Sequence, residues 1–249
     1  GLNKTSNIEK LNLNDNKMEE LKYSYFENFV YLGTISINNN QIKFIDIKTF
    51  LKMRFIKTIL LESNFIKFIL TGTFSNLRNL KELNLKNNFL YNFNFFNMYS
   101  SLTSLDLENN QIENLTRDHF VYLKRLEYLS LSRNPLIKID KNLFSELYNL
   151  KKVFLNKAEI KSINAMTFEN TSLESIDLSN NCLNIVFEKF NSSKFKNIKE
   201  IRLSNTSLID LKILNLDTFK NLEILDLSLN DLNYSFSRLN LSNKMREIN

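Results

Sequence analysis

The sequence predicts an α/β solenoid in which about ten repeats of 22–25 residues stack and share one parallel β-sheet. Three observations predict it. Apolar residues recur in one spacing, an Asn recurs at a near-constant interval, and an aromatic residue follows in the second half of most repeats. Self-similarity at a period of about 20–50 residues is the signature of repeat architectures, because each repeat is one structural unit. Residues 1–249 are therefore expected to form a single domain.

A recurring asparagine sets the phase of the repeats. Each repeat approximates Leu-x-x-Leu-x-Leu-x-x-Asn-x-Leu, as in Leu126, Leu129, Leu131, Asn134 and Leu136. Successive Asn-type positions lie 24, 24, 24, 22, 24, 24, 23, 25 and 24 residues apart. These ten positions, called the asparagine ladder below, are Asn16, Asn40, Asn64, Asn88, Asn110, Asn134, Ala158, Asn181, Thr206 and Asn230. Two of the ten depart from Asn, and a tolerated local adjustment is expected at both.

The Leu-x-Leu segment of each repeat predicts a short β-strand. Alternate side chains of a strand point to opposite faces, so both leucines face inward. One repeat cannot bury this face alone, and neighbouring repeats must therefore stack and share a core. The Asn amide at the end of the strand can satisfy backbone groups of its own turn and of the adjacent turn.

An aromatic side chain is expected to fill the second half of each repeat. The residues that fit this role are Phe26, Phe50, Phe74, Phe120, Phe144 and Phe168. In the irregular repeats the role is assigned to Met98, Phe190 and Leu216.

Composition narrows the class of protein. Three Gly and one Pro are few for this length, whereas 40 Asn are available to form turns. The net charge of +6 comes from scattered Lys and Arg with acidic residues between them, so no nucleic-acid partner is expected. No apolar run reaches the roughly 18 residues of a membrane span, and no membrane contact is expected. The start Gly1-Leu2-Asn3-Lys4 has neither Met nor an apolar run, which fits an excised fragment as well as a cytosolic origin.

The residues needed for catalysis or cofactor binding are few and scattered. The single His119 and the single Cys182 are far apart in sequence, which disfavours a metal site or a nucleophile–base pair. Glycines at only Gly1, Gly33 and Gly72 disfavour a phosphate-binding loop. The sequence therefore predicts a binding protein with no enzymatic activity and no cofactor. Cys182 is interpreted either as an idle thiol or as one half of an intermolecular disulfide.

From about Ile8 to Leu232 the chain resembles the leucine-rich repeat family, in the "typical" 24-residue form with the Phe. The resemblance implies a curved right-handed solenoid, or horseshoe, with parallel strands on its concave face. It also implies an extracellular setting, as in Toll-like receptors, adhesion proteins and insect leucine-rich immune proteins. Such ectodomains usually end in cysteine-rich caps. The chain has no such caps, and it is interpreted as an internal piece of a longer array.

The side chains that flank the inward leucines are expected on the concave face. Most are small or polar, and the large exceptions cluster in the sixth and seventh repeats. The candidate partner-binding residues are Tyr128, Arg133, Lys152, Phe154 and Lys157, because adjacent strands lie about 4.8 Å apart and binding hot spots favour aromatic and Arg side chains. Glu82, Asp106 and Glu108 are expected to add an acidic region beside them. An ordinary solvated face is the alternative interpretation.

Seven sequons for N-glycosylation are relevant to whether the chain is secreted. They begin at Asn3, Asn114, Asn170, Asn191, Asn205, Asn233 and Asn240. About five or six are expected by chance from 40 Asn and 35 Ser and Thr, so the number is compatible with secretion but is weak support for it. Asn114, Asn170 and Asn233 fall at non-core positions of their repeats. A glycan on Asn205 would lie at the concave edge and obstruct binding there.

These observations favour a ligand-recognition segment of an extracellular receptor or adhesion protein. The expected partner is a protein ligand or co-receptor, and pairing into a homo- or heterodimer is a further arrangement. An intracellular scaffold with the same fold is one alternative. A targeting arm, joined to an enzyme domain elsewhere in a longer chain, is another.

Overall fold

A computed structural model describes residues 7–136, 139–183, 195–209, 214, 216, 219–232 and 243–249. The chain divides into two compact units. Unit 1 comprises Gly1–Ile112 and Asp118–Leu126, and unit 2 comprises Glu113–Arg117 and Glu127–Asn249. Within each unit the chain forms successive turns of a parallel-sheet solenoid, as the periodicity predicts.

The described residues of unit 1 form seven short strands. Five pair in sequence order, namely β1 (Lys10–Asn12), β3 (Thr34–Ser36), β5 (Thr58–Leu60), β6 (Glu82–Asn84) and β7 (Ser104–Asp106). All pairs are parallel, and the inward residues stay in register from Leu11 to Ile35, Ile59, Leu83 and Leu105. The strands β2 (Glu20–Leu21) and β4 (Phe44–Ile45) form a second, two-stranded parallel sheet.

Unit 2 repeats this arrangement. The strands in its described residues are β8 (Tyr128–Ser130), β9 (Lys152–Phe154), β10 (Ser175–Asp177), β11 (Glu200–Arg202), β12 (Ile224–Asp226) and β13 (Glu247–Ile248). Consecutive strands pair in parallel, with Leu129 opposite Val153 and Leu225 opposite Ile248. Leu131 and Leu155 therefore lie side by side, and the N–H of Leu131 donates to the carbonyl of Phe154 at 2.9 Å. The strand β13 belongs to an eleventh repeat, which follows the ten that the sequence predicts.

Helical structure in the described residues is limited. It includes one short α-helix, α1 (Tyr23–Phe26), and two 3₁₀ turns at Arg117–His119 and Ala165–Phe168, and Leu214 and Leu216 also have 3₁₀ structure. The second 3₁₀ turn starts at a capping residue, because the Asn164 side chain accepts a hydrogen bond from the Met166 N–H at 2.8 Å. The segments that return the chain between strands are therefore mostly turns.

The inward leucines form the core, and their burial depends on having a repeat on each side. Leu131, Val153 and Leu155 are fully buried. Leu11 and Leu13 of the first repeat are only half-buried, because in the described residues they have a neighbouring repeat on one side alone. Stacking rather than local sequence therefore excludes water from the repeats.

The asparagine ladder links each turn to its neighbour through the backbone. The Asn64 amide nitrogen donates to the carbonyls of Ile37 (2.9 Å) and Leu61 (3.1 Å), and its oxygen accepts from the Ile42 N–H at 3.1 Å. Since Asn64 is buried, these bonds form away from competing water. The ladder thus supplies hydrogen bonds that the irregular backbone after each strand cannot supply itself.

Turns that precede the ladder position use left-handed backbone. The residues with positive φ in this row are Asp15, Asn39, Ser63, Asn87, Asn109, Arg133, Lys157, Asn180, Asn205 and Leu229. Half of them are Asn, which tolerates this conformation better than most residues. The abundance of Asn thus replaces the missing glycines, as predicted.

A row of aromatic side chains fills the second half of the repeats. In unit 1 Phe50 and Phe74 stack at 5.6 Å between ring centroids, and in unit 2 Phe144 and Phe168 do so at the same distance. All six regular phenylalanines of this role are buried, and Leu216 is buried as well. Phe190 lies outside the described residues.

The assignment of Met98 to this row is wrong. Met98 is 53% exposed, and Phe93 and Phe95 fill the core of that repeat. The Phe93 ring lies 5.3 Å from Phe120 and the Phe95 ring 5.5 Å from Phe74. This repeat is two residues shorter than its neighbours, so its return segment takes a different path and presents earlier side chains to the core.

Candidate functional site

Three of the five candidate residues lie together on the open face of the sheet in unit 2. Tyr128 and Lys152 are register partners on β8 and β9, and Phe154 is two residues beyond Lys152 on the same face. The ring centroids of Tyr128 and Phe154 are 5.4 Å apart with the planes inclined at 41°. The structure therefore joins the two aromatic side chains into one half-buried cluster, with the exposed Lys152 beside it.

The other two candidate residues lie at the edge of this face. Arg133 and Lys157 occupy equivalent left-handed positions in successive turns, with φ of 56° and 54°, and both are exposed. Their backbone N–H groups donate to the carbonyls of Asn156 and Ser179 at 2.9 and 3.0 Å. The turn geometry thus fixes the backbone of two equivalent basic residues, each three residues beyond the end of its strand. The five residues are called the aromatic-basic patch below.

Polar residues continue the open face beyond the patch. Asp177 on β10 is the register partner of Phe154, and Arg202 on β11 is the register partner of Asp177. The guanidinium of Arg202 lies 2.6 Å from the Glu200 carboxylate on its own strand. Within the described residues Lys152 has no ion-pair partner, so its charge is available on the face next to the two rings.

Residues immediately before the strands of unit 2 form ion pairs with the equivalent residues of the neighbouring repeat. The Lys151 ammonium lies 2.7 Å from Glu127, and Lys199 lies 2.7 Å from Glu174. The hydrogen bond from Lys199 lowers the pKa of Glu174, and the hydrogen bonds to Glu127 and Glu174 raise the pKa values of Lys151 and Lys199. Exposed pairs of this kind contribute little to stability, so they mainly set the local charge pattern.

The carboxylates expected from the sequence lie in unit 1. Glu82 is exposed on β6, and Asp106 ends β7. Glu108 pairs with Lys86 at 3.0 Å, and this contact raises the pKa of Lys86. Sequence reasoning missed Glu62, whose carboxylate accepts hydrogen bonds from the Asn84 and Asn87 amides at 3.2 and 3.3 Å.

Burial raises the pKa of the Asp106 carboxyl above its ordinary value. Its oxygen accepts a hydrogen bond from the Glu108 N–H at 2.9 Å, which acts in the opposite direction. The Glu108 and Glu62 charges raise the pKa further. The acidic region of unit 1 is therefore partly desolvated.

Three of the seven sequons fall in the described residues. Asn114 and Asn170 are exposed. Asn205 is exposed too, but its amide donates to the Asn180 side chain at 3.1 Å, a bond that a glycan on Asn205 would replace. Asn3, Asn191, Asn233 and Asn240 lie outside the described residues.

The isolated reactive groups do not gather into a chemical site in the described ranges. Cys182 is exposed, and its Sγ lies 3.9 Å from the Ser207 hydroxyl. His119 packs its ring 5.1 Å from Phe93. Over the same ranges no group of three or more His, Cys, Asp or Glu is arranged to hold a metal ion. None of the helices described there has the length and apolar character to traverse a bilayer.

Sequence reasoning also missed exposed aromatic pairs in unit 1. Tyr31 and Phe55 stack at 5.5 Å, and Phe65 and Phe89 stack at 5.8 Å. Each pair is 24 residues apart, so the repeat period itself contained the signal that these rings would meet. None of the four rings lies at a position that flanks an inward leucine, where binding residues were expected.

Comparisons with known proteins agree with this architecture. Residues 100–157 match a family model described as "Leucine rich repeat", and residues 2–94 match one described as "BspA type Leucine rich repeat region (6 copies)". Toll-like receptor 3 of Bos taurus is 32% identical over 131 residues, which cover 51% of this chain and 14% of the receptor. Transforming growth factor beta activator LRRC33 of Danio rerio is 27% identical over 154 residues, 58% of this chain and 22% of that protein.

Solved structures show the same fold. The crystal structure of the TLR13–ssRNA13 complex aligns with a TM-score of 0.77 at 23% identity, over 96% of this chain and 35% of that chain. The chain spans roughly a fifth or less of the curated relatives cited above.

The stacked parallel strands, the asparagine ladder and the open sheet face define a solenoid repeat protein whose exposed face is suited to interaction. The chain belongs to the leucine-rich repeat family and is an interaction domain related in sequence to Toll-like receptors and LRRC33.

Proposed function

We propose that residues 1–249 act as one ligand-recognition segment of an extracellular leucine-rich repeat receptor or adhesion protein. The observation that carries the proposal is the contact between Tyr128 and Phe154 on the open face of unit 2, with Lys152 beside it. The proposed partner is a protein ligand or co-receptor, bound through a surface that exists before the partner arrives.

The composition of the aromatic-basic patch supports a protein partner. Interface hot spots favour aromatic and Arg side chains that neighbouring groups shield from water. The two rings are already half-buried against each other, so few rotamers remain to be lost when they are covered. Arg133 and Lys157 are held at the edge by the backbone of their turns, where charges steer association and select partners.

The relatives support the setting. Receptors are among the curated proteins that match the chain, and Toll-like receptor 3 is one of them. The exposed sequons at Asn114 and Asn170 agree with a chain that passes through the secretory pathway. Both observations support an extracellular location over an intracellular scaffold.

One experiment tests the setting. The chain is secreted from a eukaryotic host behind an added signal peptide, and its mass is compared before and after glycosidase treatment. We expect a loss of mass that becomes smaller, by two glycans, in Asn114→Gln with Asn170→Gln, since the five other sequons are unchanged. A secreted chain with no glycan at either residue would favour the intracellular scaffold.

A second experiment tests the patch. The chain is used to screen a panel of purified ectodomains and secreted proteins, and the affinity of each hit is measured for Phe154→Ala. We expect binding to weaken about tenfold or more while the melting temperature stays within a few degrees. Ile224→Ala, a half-buried apolar residue on the same face, is the matched control and leaves binding unchanged. Equal binding by wild type and Phe154→Ala would remove the patch from the proposal.

A further inference from the structure

We propose that a second surface, in unit 1, binds an acidic segment of a protein partner. This surface, the basic groove surface, consists of Tyr31, Lys52, Arg54, Phe55, Lys57 and Arg78. It lies in a different unit from the aromatic-basic patch and shares no residue with it, so either proposal can fail while the other stands.

An exposed aromatic pair forms the centre of the basic groove surface. Tyr31 and Phe55 are 52% and 50% exposed, and their rings stack at 5.5 Å with planes inclined by 12°. Both residues occupy the position just before the first core residue of a repeat. The same position holds Asn79, Ser101, Arg125, Asn149, Ser172, Asn197 and Asn221 in later repeats. An aromatic pair in a row that is otherwise polar leaves apolar area to be buried by a partner.

Two grooves lie on either side of Phe55. One has a volume of about 630 Å³ and is lined by Leu51 and Arg78, among others. The other has a volume of about 670 Å³ and is lined by Tyr31 and Gly33, among others. Phe55 and Asn79 line both, and the Asn79 amide donates to the Arg54 carbonyl at 2.9 Å. Phe55 and Asn79 form the ridge between the two grooves, and this hydrogen bond holds the Asn79 side chain on the backbone next to Phe55.

The charge of the grooves identifies the chemistry of the occupant. Their lining contains the five cations Lys10, Lys52, Arg54, Lys57 and Arg78, and one anion, Glu9. In the part of the chain that the structure describes, none of the five cations takes part in an ion pair. The Lys and Glu residues at the strand edges of unit 2 pair with each other, in contrast. An acidic ligand would supply the missing partners, and Arg54 and Arg78 can each bind a carboxylate through two parallel hydrogen bonds.

A peptide fits this surface better than a single-stranded nucleic acid. Nucleic acids without sequence preference need successive aromatic platforms along a continuous basic groove. Here Tyr31 and Phe55 stack on each other, so each ring has one face already covered. Grooves on both sides of a fixed apolar ridge suit an extended chain that places an apolar side chain at Phe55 and carboxylates in the grooves.

The test measures binding of a defined probe to the whole chain. The probe is a fluorescein-labelled peptide of about twelve Asp and Glu residues with one central Leu, followed by fluorescence anisotropy. We expect saturable binding that weakens about tenfold or more in Arg54→Glu with Arg78→Glu, and about fivefold in Phe55→Ser. Lys17→Glu with Lys67→Glu changes the net charge of unit 1 equally at two exposed lysines outside the grooves, and we expect less than a twofold effect.

Three results would overturn the proposal. Equal weakening by the Lys17 and Lys67 substitutions would show attraction to net charge alone. Oligothymidylate of the same charge binding as tightly as the peptide would show a phosphate site. Loss of peptide binding in Phe154→Ala would place the peptide on the aromatic-basic patch instead. Circular dichroism spectra and melting temperatures that match the wild type show that each variant is folded.

Discussion

The Asn181 side-chain oxygen accepts a hydrogen bond from the backbone N–H of Ala158 at 3.0 Å, one turn earlier in the solenoid. At position 158 the asparagine ladder has Ala, which has no side-chain amide. This position and Thr206 are called the gaps of the ladder below. The Asn181 oxygen also accepts from the Ile160 N–H at 3.1 Å, and the Ala158 carbonyl accepts from the Leu136 N–H at 2.9 Å. Backbone groups at the gap therefore replace the missing side chain, and the next Asn takes one additional bond.

Thr206 closes the second gap in the same way. Its N–H donates to the Asn230 oxygen at 2.9 Å, and the Leu208 N–H donates to the same atom at 3.0 Å. At both gaps the following residue adopts left-handed backbone, Glu159 with φ of 57° and Ser207 with φ of 59°. The tolerated adjustment expected from the sequence is thus a local change of backbone.

Asn181→Ala should therefore be costly. The substitution leaves the buried N–H groups of Ala158 and Ile160 without their acceptor and removes the bonds to the Leu155 and Leu178 carbonyls. We expect the free energy of unfolding to fall by about 2–4 kcal/mol, measured by urea denaturation.

The matched control is Asn16→Ala. Asn16 is the exposed first member of the ladder, and within the described residues its amide donates to carbonyls of its own turn alone. We expect a loss below about 1 kcal/mol, because water can replace these bonds. A similar loss in both variants would contradict the role assigned to Asn181 at the gap.

Glu159→Gly should stabilise the chain. Left-handed backbone costs a residue with a Cβ about 1–2 kcal/mol, and Gly avoids this cost while losing some entropy on folding. We expect a gain of about 0.5–1 kcal/mol in the free energy of unfolding. Glu113→Gly, at an exposed residue of unit 2 with negative φ, should lower it instead. A loss in Glu159→Gly would count against the backbone described at the gap.

Asp106→Asn should raise stability at neutral pH. Asn84, the register partner of Asp106, already accepts the equivalent hydrogen bond from the Lys86 N–H at 2.9 Å, so an amide fits this position. Because burial raises the folded-state pKa of Asp106, the folded state binds more protons than the unfolded state between pH 3.8 and that raised pKa. The contribution of Asp106 to the free energy of unfolding of the wild type therefore increases as the pH falls through this range.

The advantage of Asp106→Asn should accordingly be largest near pH 7 and vanish below pH 3.8. Urea denaturation at several pH values measures it. Glu113→Gln is the control, since this exposed residue makes no comparable contact. An advantage that grows on acidification would reverse the sign of the argument.

Tyr128 and Phe154 should be energetically coupled. A double-mutant cycle of Tyr128→Ala and Phe154→Ala, with stability measured by urea denaturation, is expected to give a coupling of about 0.5–1 kcal/mol. Phe154→Ala combined with Ile224→Ala should be additive, because β9 and β12 are separated by two strands. Additivity in the first cycle would mean that the two rings do not pack together in solution.

Some of the candidate site could be predicted because the strands obey a period of two. Leu129 and Val153 point inward, so Tyr128, Lys152 and Phe154 had to point outward. The contact between the Tyr128 and Phe154 rings is a diagonal contact between strands, which register alone does not specify. The placement of Arg133 and Lys157 in left-handed turns at the edge of the sheet likewise required the folded backbone.

The wrong assignment of Met98 shows which part of a repeat the sequence periodicity does not predict. The strand and the ladder are fixed by hydrogen bonds to both neighbours, so their spacing is strict. The repeated backbone bond of the return segment lies within one turn, as from the Met53 N–H to the Phe50 carbonyl, and a repeat shortened by two residues changes which side chains reach the core. Phe93 and Phe95 took the place assigned to Met98 for this reason.

The sequence by itself determined the phase of the solenoid, because a unit too small to bury its own leucines must repeat them in register with its neighbours. It also determined which residues flank those leucines. Only the tertiary structure decided how the gaps at Ala158 and Thr206 are closed and that Tyr31 and Phe55 remain exposed on a basic surface. These features depend on hydrogen bonds and contacts between turns, which form between residues more than 20 positions apart.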